Sequence, residues 1–364
     1  MKISLLTNGP GELWDWARPM IVELRQRGHS ISLWLLPCPY ASGSERRVAS
    51  GLGVDKLEGP LDSLRTWSAL GQEKTDCVLQ LGGDLMFGRH IAKRAKAPLF
   101  CYSYGPKKGM EDARSFTAWP QMALTMPGAR VIGDLVRDAL ALDTGTTAWG
   151  QTGGRRLLLF PGSRPAIRRL SLAWLSTVVA RVKTRVPDLE VGTLFSPFVN
   201  DDEVPDWRDA GLNPLRIGAG VAMRVADYAL TQPGTNTLEM MHCGLPALVA
   251  APMDFLKAVP LSGLVGLLAS LPLVGTTLRR RGLERHIARN NGLLALPNRL
   301  SHRVMDEMYG DLTPQALAES VAASLLDADR LARLRGELLA LSREGVIASQ
   351  GAASRLADAL ETAV

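Results

Sequence analysis

The chain has 364 residues, 46% of them hydrophobic and 21% charged, and its 42 lysines and arginines outnumber 36 aspartates and glutamates for a net charge of +6. That composition excludes wholesale disorder, and a length beyond the roughly 250–300 residues of a single core predicts two domains that need no disulfide or metal staple. With only 5% aromatic residues and no nucleic-acid-binding motif, the basic balance does not point to DNA or RNA.

Short runs rich in leucine and β-branched residues alternate with helical patterns, which predicts a doubly wound α/β architecture. Lys2–Thr7, Ser30–Leu36, Cys77–Leu81, Pro98–Tyr102 and Gln121–Thr125 read as strands, mostly apolar on both faces as buried parallel strands are. Between the first two lies a helix with Trp16, Met20, Ile21 and Leu24 on one face, closed by Gly28. Asp143–Gly154 is Gly/Thr-rich without apolar periodicity and reads as a linker, giving domains 1–145 and 146–345 and a last helix over 346–364. A second α/β series follows: Arg155–Phe160, a long helix to Arg185, Leu189–Phe195, Tyr228–Thr231 and Pro246–Ala250. From Thr313, an N-cap followed by Pro314, the chain reads as helical, with a buried stripe of Leu331, Leu334, Leu338 and Leu341. The expectation is two Rossmann-like domains facing a cleft, with ligands at the carboxyl ends of strands.

Three loops follow predicted strands. Asn8-Gly9-Pro10-Gly11-Glu12 has two glycines that let the backbone approach a ligand, with Glu12 at the mouth, although a plain strand–helix turn reads equally well. It is not G-x-G-x-x-G, which argues against a dinucleotide site. In Phe160-Pro161-Gly162-Ser163-Arg164, Gly162 permits a close backbone, Ser163 can donate a hydrogen bond and Arg164 can grip an anion bidentately. Gln232 to Glu239 (QPGTNTLE) places Gly234, Thr235, Asn236 and Thr237 at a helix N-terminus, a ready anion site, with Glu239 one turn in, where it could accept from a ribose diol. The two together favour a nucleotide-diphosphate site over simple helix capping. Asp84, closing Leu81-Gly82-Gly83-Asp84, reads either as a general base or as the N-cap of a helix over Met86–Lys96.

Other chemistries find no support. The five histidines show no metal-ligand spacing, and neither G-x-S-x-G nor GxxxxGK[ST] occurs. Cys38, Cys77, Cys101 and Cys243 lie far apart beside apolar runs and read as reduced thiols. The opening MKISLLTNGPGE is too short an apolar stretch for a secretory signal, so a cytoplasmic location is expected.

Taken in order, PGSR opening the second domain, PGTNTLE about seventy residues later and Leu296-Pro297-Asn298 before TPQAL resemble the lipid A disaccharide synthase family over nearly the whole chain. The NGPGEL opening is closer to a divergent branch related to it. The resemblance implies the B-type glycosyltransferase fold and an inverting transfer of an N-acetylglucosamine-type sugar from UDP to a lipid or glycolipid. No cofactor or metal is implied, and the last helix would pack back towards the first domain. On it, Gly162, Ser163 and Arg164 match the family's LPGSR segment. Thr235, Thr237 and Glu239, with Gly234 and Asn236 beside them, match its SGT-x-x-LE segment, and Asn298 matches its LPN asparagine. All of these would hold the UDP-sugar.

Asp84 occupies the position of the family's essential aspartate, with Glu12 a second catalytic candidate. Asn8, Gly9, Gly11, Lys107 and Lys108 would lie on the acceptor side. The departures are NGPGELWD for the family's Gly-Glu-x-Ser-Gly-Asp loop, Ile167 for an acidic residue, and Tyr104-Gly105-Pro106-Lys107-Lys108 for a Ser/Trp-rich acceptor loop. Donor-side motifs are retained better than acceptor-side ones, which leaves a UDP-sugar epimerase and a non-catalytic UDP-sugar-binding protein as alternatives. The uncharged run Ala258–Gly275, followed by Arg279-Arg280-Arg281, is too short and too proline-bracketed to span a bilayer. It reads as a patch docking on the anionic inner face of the cytoplasmic membrane, with a buried helix as the other reading. A homo-oligomer is compatible with the sequence.

Overall fold

A computed structural model describes residues 1–38, 41–60, 68–70, 72–147, 149–150, 153–256, 292–301, 304–345 and 351–363. The chain divides into two compact units, Met1–Leu142 with Arg343–Val364, and Asp143–Ser342. Each is built on a parallel sheet.

In the first unit the strands are β1 (Lys2–Thr7), β2 (Ser30–Leu35), β3 (Lys56–Glu58), β4 (Cys77–Leu81), β5 (Leu99–Tyr102), β6 (Arg114–Thr117) and β7 (Arg130–Val131), in spatial order 3-2-1-4-5-6-7. The central strand carries the core: Leu5 pairs with Leu33 on one side and Leu79 on the other, and all three are fully buried. Both faces of these strands are buried, which is why β1 and β4 are mostly apolar rather than alternating. The chain leaves β1 through a π-helical turn, Glu12–Ala17, that runs directly into the helix Arg18–Gln26. Trp16, Met20, Ile21 and Leu24 are its buried residues, and Gly28 follows with φ +79°.

One expected strand is not there. Gln121–Thr125 lies in and just after a short helix, Pro120–Ala123, and the sheet position belongs to Arg114–Thr117. Pro120 sits at the first helical position behind an extended Trp119, which starts a helix rather than a strand.

The second unit holds β8 (Arg156–Leu159), β9 (Glu190–Leu194), β10 (Pro214–Leu215), β11 (Tyr228–Thr231), β12 (Ala247–Pro252) and β13 (Asp306–Gly310), in order 10-9-8-11-12-13. Its core joins Leu157, Leu159, Leu230 and Leu248 of the sheet to Val178 and Val182 of the Pro165–Lys183 helix and to Leu317 and Val321 of the Pro314–Leu326 helix. Asp143 opens this unit and is anchored to it. Its carboxylate accepts from the Gly220 amide at 2.9 Å, and its carbonyl accepts from Arg224 at 2.9 Å. The Leu331, Leu334, Leu338 and Leu341 stripe is buried on the helix Ala328–Glu344. The helix Ala352–Glu361 belongs to the first unit, where Arg27 bonds Asp358 at 2.6 Å and Glu361 at 2.9 Å. Among the described residues no helix is long and apolar enough to cross a membrane, and Ala258–Arg281 lies outside those residues.

Candidate functional site

Both sheets have a point where the chain reverses its winding direction, and crevices for ligands form at the carboxyl ends of the strands there. In the second unit that point lies between β8 and β11, so the loops Phe160–Arg164 and Gln232–Thr235 leave adjacent parallel strands side by side. They touch: a methyl group added to Gly162 (φ +93°) would meet Ile167 Cγ2 at 2.7 Å and Gln232 Nε2 at 3.3 Å. Only glycine fits that turn. Each loop opens a helix, Pro165–Lys183 after the first and Asn236–Cys243 after the second, so two helix amino ends lie on one crevice and favour negative charge.

A residue that sequence reading assigned no role holds the first of these loops. Arg168, 1% exposed, donates to both carboxylate oxygens of Glu203 at 2.6 and 2.7 Å and to the Ser163 carbonyl at 2.7 Å. Burial alone would raise the Glu203 pKa, but the Arg168 hydrogen bonds and charge hold it below the usual carboxylate range. The clamp ties a loop carbonyl down. Ser163 and Gly234 are exposed, and Gly162, Arg164, Thr235 and Asn236 half-buried.

Other candidates turn inward. The Thr237 hydroxyl, fully buried, donates to the Gly234 carbonyl at 2.8 Å and braces its own turn. Asn236 Nδ2 donates to Thr231 Oγ1 at 2.6 Å. Glu239 is buried at 9% exposure. Asn298 departs furthest from its expected role. It is fully buried, its amide donates to Met305 O at 2.9 Å and Glu307 Oε1 at 2.7 Å, and its Oδ1 accepts from the Val304 and Met305 amides at 2.8 and 2.9 Å. With two donors and two lone pairs occupied, Asn298 has nothing left for a sugar and holds the Leu296–Leu300 turn instead.

In the first unit the reversal lies between β1 and β4, flanked by Asn8–Glu12 and Gly82–Asp84. A methyl group on Gly82 would come within 3.1 Å of Glu12 Cγ and 3.2 Å of Trp16 Cζ3, and one on Gly9 within 3.4 Å of Glu12 Oε2. The Glu12 carboxyl therefore lies between the two loops, half-buried, at the first residue of the π-helical turn. Asn8 packs near Gly83, and Gly11 is half-buried. Asp84 is exposed and its Oδ1 accepts from the Met86 amide at 3.0 Å, a capping contact that leaves the second oxygen to solvent. Beneath it, fully buried Gln80 donates to the carbonyls of Gly82 at 2.9 Å and Asp84 at 2.8 Å and accepts from the Gly88 amide at 3.0 Å.

Lys107 and Lys108 follow β5 at the same carboxyl edge, half-buried and exposed respectively. Beside them Tyr104 donates to Asp134 at 2.5 Å and accepts from Trp16 Nε1 at 3.2 Å. Burial, then the Asp134 charge, pushes the Tyr104 phenol well above its usual range, so it stays a neutral donor. Burial also pushes the Cys77, Cys101 and Cys243 thiols up to about 12, which suits inert thiols rather than nucleophiles. Among the described residues no group of three or more His, Cys, Asp or Glu could hold a metal ion.

No protein-family model and no curated protein matches this sequence. Solved structures do. A Listeria monocytogenes protein assigned as a UDP-N-acetylglucosamine 2-epimerase matches with TM-score 0.63 at 13% identity, over 100% of this chain and 96% of its own. MnaA from S. aureus, solved with UDP, matches with TM-score 0.61 at 16% identity over 99% and 96%. CalG4, the calicheamicin glycosyltransferase, matches with TM-score 0.55 at 14% identity over 99% and 97%. At such identities the likeness is one of fold, and the chain has the two-Rossmann fold of B-type glycosyltransferases and UDP-N-acetylglucosamine 2-epimerases.

Proposed function

We propose that the chain is an inverting, metal-independent glycosyltransferase that moves an N-acetylglucosamine-type sugar from UDP to a lipid or glycolipid hydroxyl. The observation that carries the reading is the crevice of the second sheet, where glycine-dependent loops, two helix amino ends and Arg164 meet. A diphosphate is the ligand that such a crevice suits: backbone N–H groups and a guanidinium stabilise its charge as it departs, the role a divalent metal takes elsewhere. The ribose falls to Glu239, with its 9% exposure limiting it to an edge contact.

Asp84 is the proposed base, with Glu12, against Gly82 of the same loop, as a second candidate. Its carboxylate takes the acceptor hydroxyl proton while that oxygen attacks the anomeric carbon and the bond to UDP breaks, so the configuration inverts in one displacement through an oxocarbenium-like state. The lipid acceptor and an inner-membrane-surface location rest on the sequence resemblance alone.

A second reading is an epimerase that eliminates and re-adds UDP with no acceptor, favoured by the fold likeness to 2-epimerases. One experiment separates the two. Incubation with UDP-N-acetylglucosamine alone should leave the sugar unchanged, and adding a membrane lipid extract should release UDP. An isomerised sugar without acceptor supports the epimerase, and no turnover under either condition leaves a non-catalytic binding protein.

A further inference from the structure

Away from both crevices the first unit holds a cavity of about 760 Å³, within the range of small-molecule sites. It is lined by Phe100 of β5, Arg114 and Phe116 of β6, and Arg130 of β7, with Arg355 and Asp358 from the last helix across from them. Arg114 and Arg130 are the first residues of their strands, so the cavity reaches the amino-terminal edge of the sheet, opposite the edge that carries Asp84 and Glu12.

The lining follows a pattern. Phe100 and Phe116 stack with centroids 6.3 Å apart and planes 19° apart. The Arg114 guanidinium lies 5.6 Å from the Phe100 ring and that of Arg130 lies 5.9 Å from the Phe116 ring. A guanidinium near an aromatic ring gains cation–π attraction while its N–H groups can still meet an anion. Among the described residues neither arginine has a carboxylate at ion-pair distance. The carboxylates in the lining do not cancel this charge. Asp358 is paired with Arg27 at 2.6 Å, and Glu111 is exposed. Arg355 donates to the Ile132 carbonyl and adds a third cation to the wall.

We propose that this cavity binds a small organic anion, with its acidic group on Arg114 and Arg130, which the buried Phe100–Phe116 pair backs, and its apolar body against Pro127, Val131 and Ala359. The site is separate from the nucleotide crevice and does not depend on which reaction the chain catalyses.

The test is a fluorescence titration with 8-anilinonaphthalene-1-sulfonate. The expected result is one saturable site per chain that saturating UDP does not displace. The R114Q/R130Q variant should bind it at least about tenfold more weakly, because two charge-assisted contacts are lost. N-phenyl-1-naphthylamine, the same body without the sulfonate, should bind wild type and variant alike. Both arginines are exposed, so the variant should melt as wild type does, and Ala359→Trp, which fills the cavity from the helix, should abolish the site by volume alone. Absence of saturable binding, displacement by UDP, or unchanged affinity in both variants overturns the proposal.

Discussion

The two sheets solve the same local problem with opposite chemistry. In the first, the loop after β4 is held from below by the neutral amide of Gln80, which grips the Gly82 and Asp84 carbonyls. In the second, the loop after β8 is held by the buried Arg168–Glu203 ion pair, which grips the Ser163 carbonyl. Each clamp turns carbonyl dipoles into the protein. The amide clamp places no charged group beneath the Asp84 loop, which suits the proton transfer proposed for Asp84. The Arg168–Glu203 clamp is neutral overall but sets a guanidinium against a loop that already opens a helix, which suits the anion proposed there.

Substitutions can break this contrast from either side. The largest effect is expected at Asp84. D84N should lower turnover by roughly 10²–10⁴ with an unchanged melting temperature, because the asparagine oxygen still accepts from the Met86 amide. A parallel fall in melting temperature would reduce Asp84 to its capping contact. Next is Arg168→Met, which removes the grip on half-buried Glu203 and on the Ser163 carbonyl; urea unfolding should show a loss of about 2–3 kcal/mol. Gln80→Leu leaves three backbone groups, two of them in buried contacts, without their partner, and the same measurement should show about 2–3 kcal/mol.

The smallest effect is on acid stability. Burial opposes ionisation of both Glu203 and Asp227, yet Arg168 on the first and Arg156 of β8, which bonds Asp227 at 2.8 and 3.0 Å, on the second hold both pKa values below the ordinary 4.5 and 3.8. A depressed pKa contributes stability that is complete above the unfolded value and is lost as pH falls through the folded one. Denaturant midpoints should therefore be flat above about pH 5 and fall below the ordinary carboxylate range, and E203Q should make that fall shallower. In the first unit, Q80L should leave the shape of the acid limb unchanged.

The contrast between the clamps was not legible in the sequence, although the loops were. Strands β1, β4 and β11 could be bounded to the residue because they are buried almost throughout and read as mostly apolar runs. Arg114–Thr117 (RSFT) and Asp306–Gly310 (DEMYG) lack that pattern: the first begins on an exposed arginine and the second is an edge strand of half-buried and exposed residues. Glycine and proline marked the loops after β1, β8 and β11, since turns need them whatever surrounds them. Gln80 sits inside a strand and Arg168 inside a helix, where each reads as an ordinary polar residue. Their partners are loop carbonyls and a glutamate 35 residues away, which only the tertiary fold supplies. Asn298 shows the reverse case, a motif residue whose side chain is wholly used by Val304, Met305 and Glu307 further along the chain.

The central claim is that the crevice between β8 and β11 takes a nucleoside diphosphate through Arg164 and the loop amides. Calorimetric titration with UDP tests it most directly. The account predicts one site per chain in the wild type, weakened in R164A by roughly 1.5–3 kcal/mol through loss of a charge-assisted phosphate contact. Unchanged affinity in R164A, or no binding by the wild type at millimolar UDP, would contradict it.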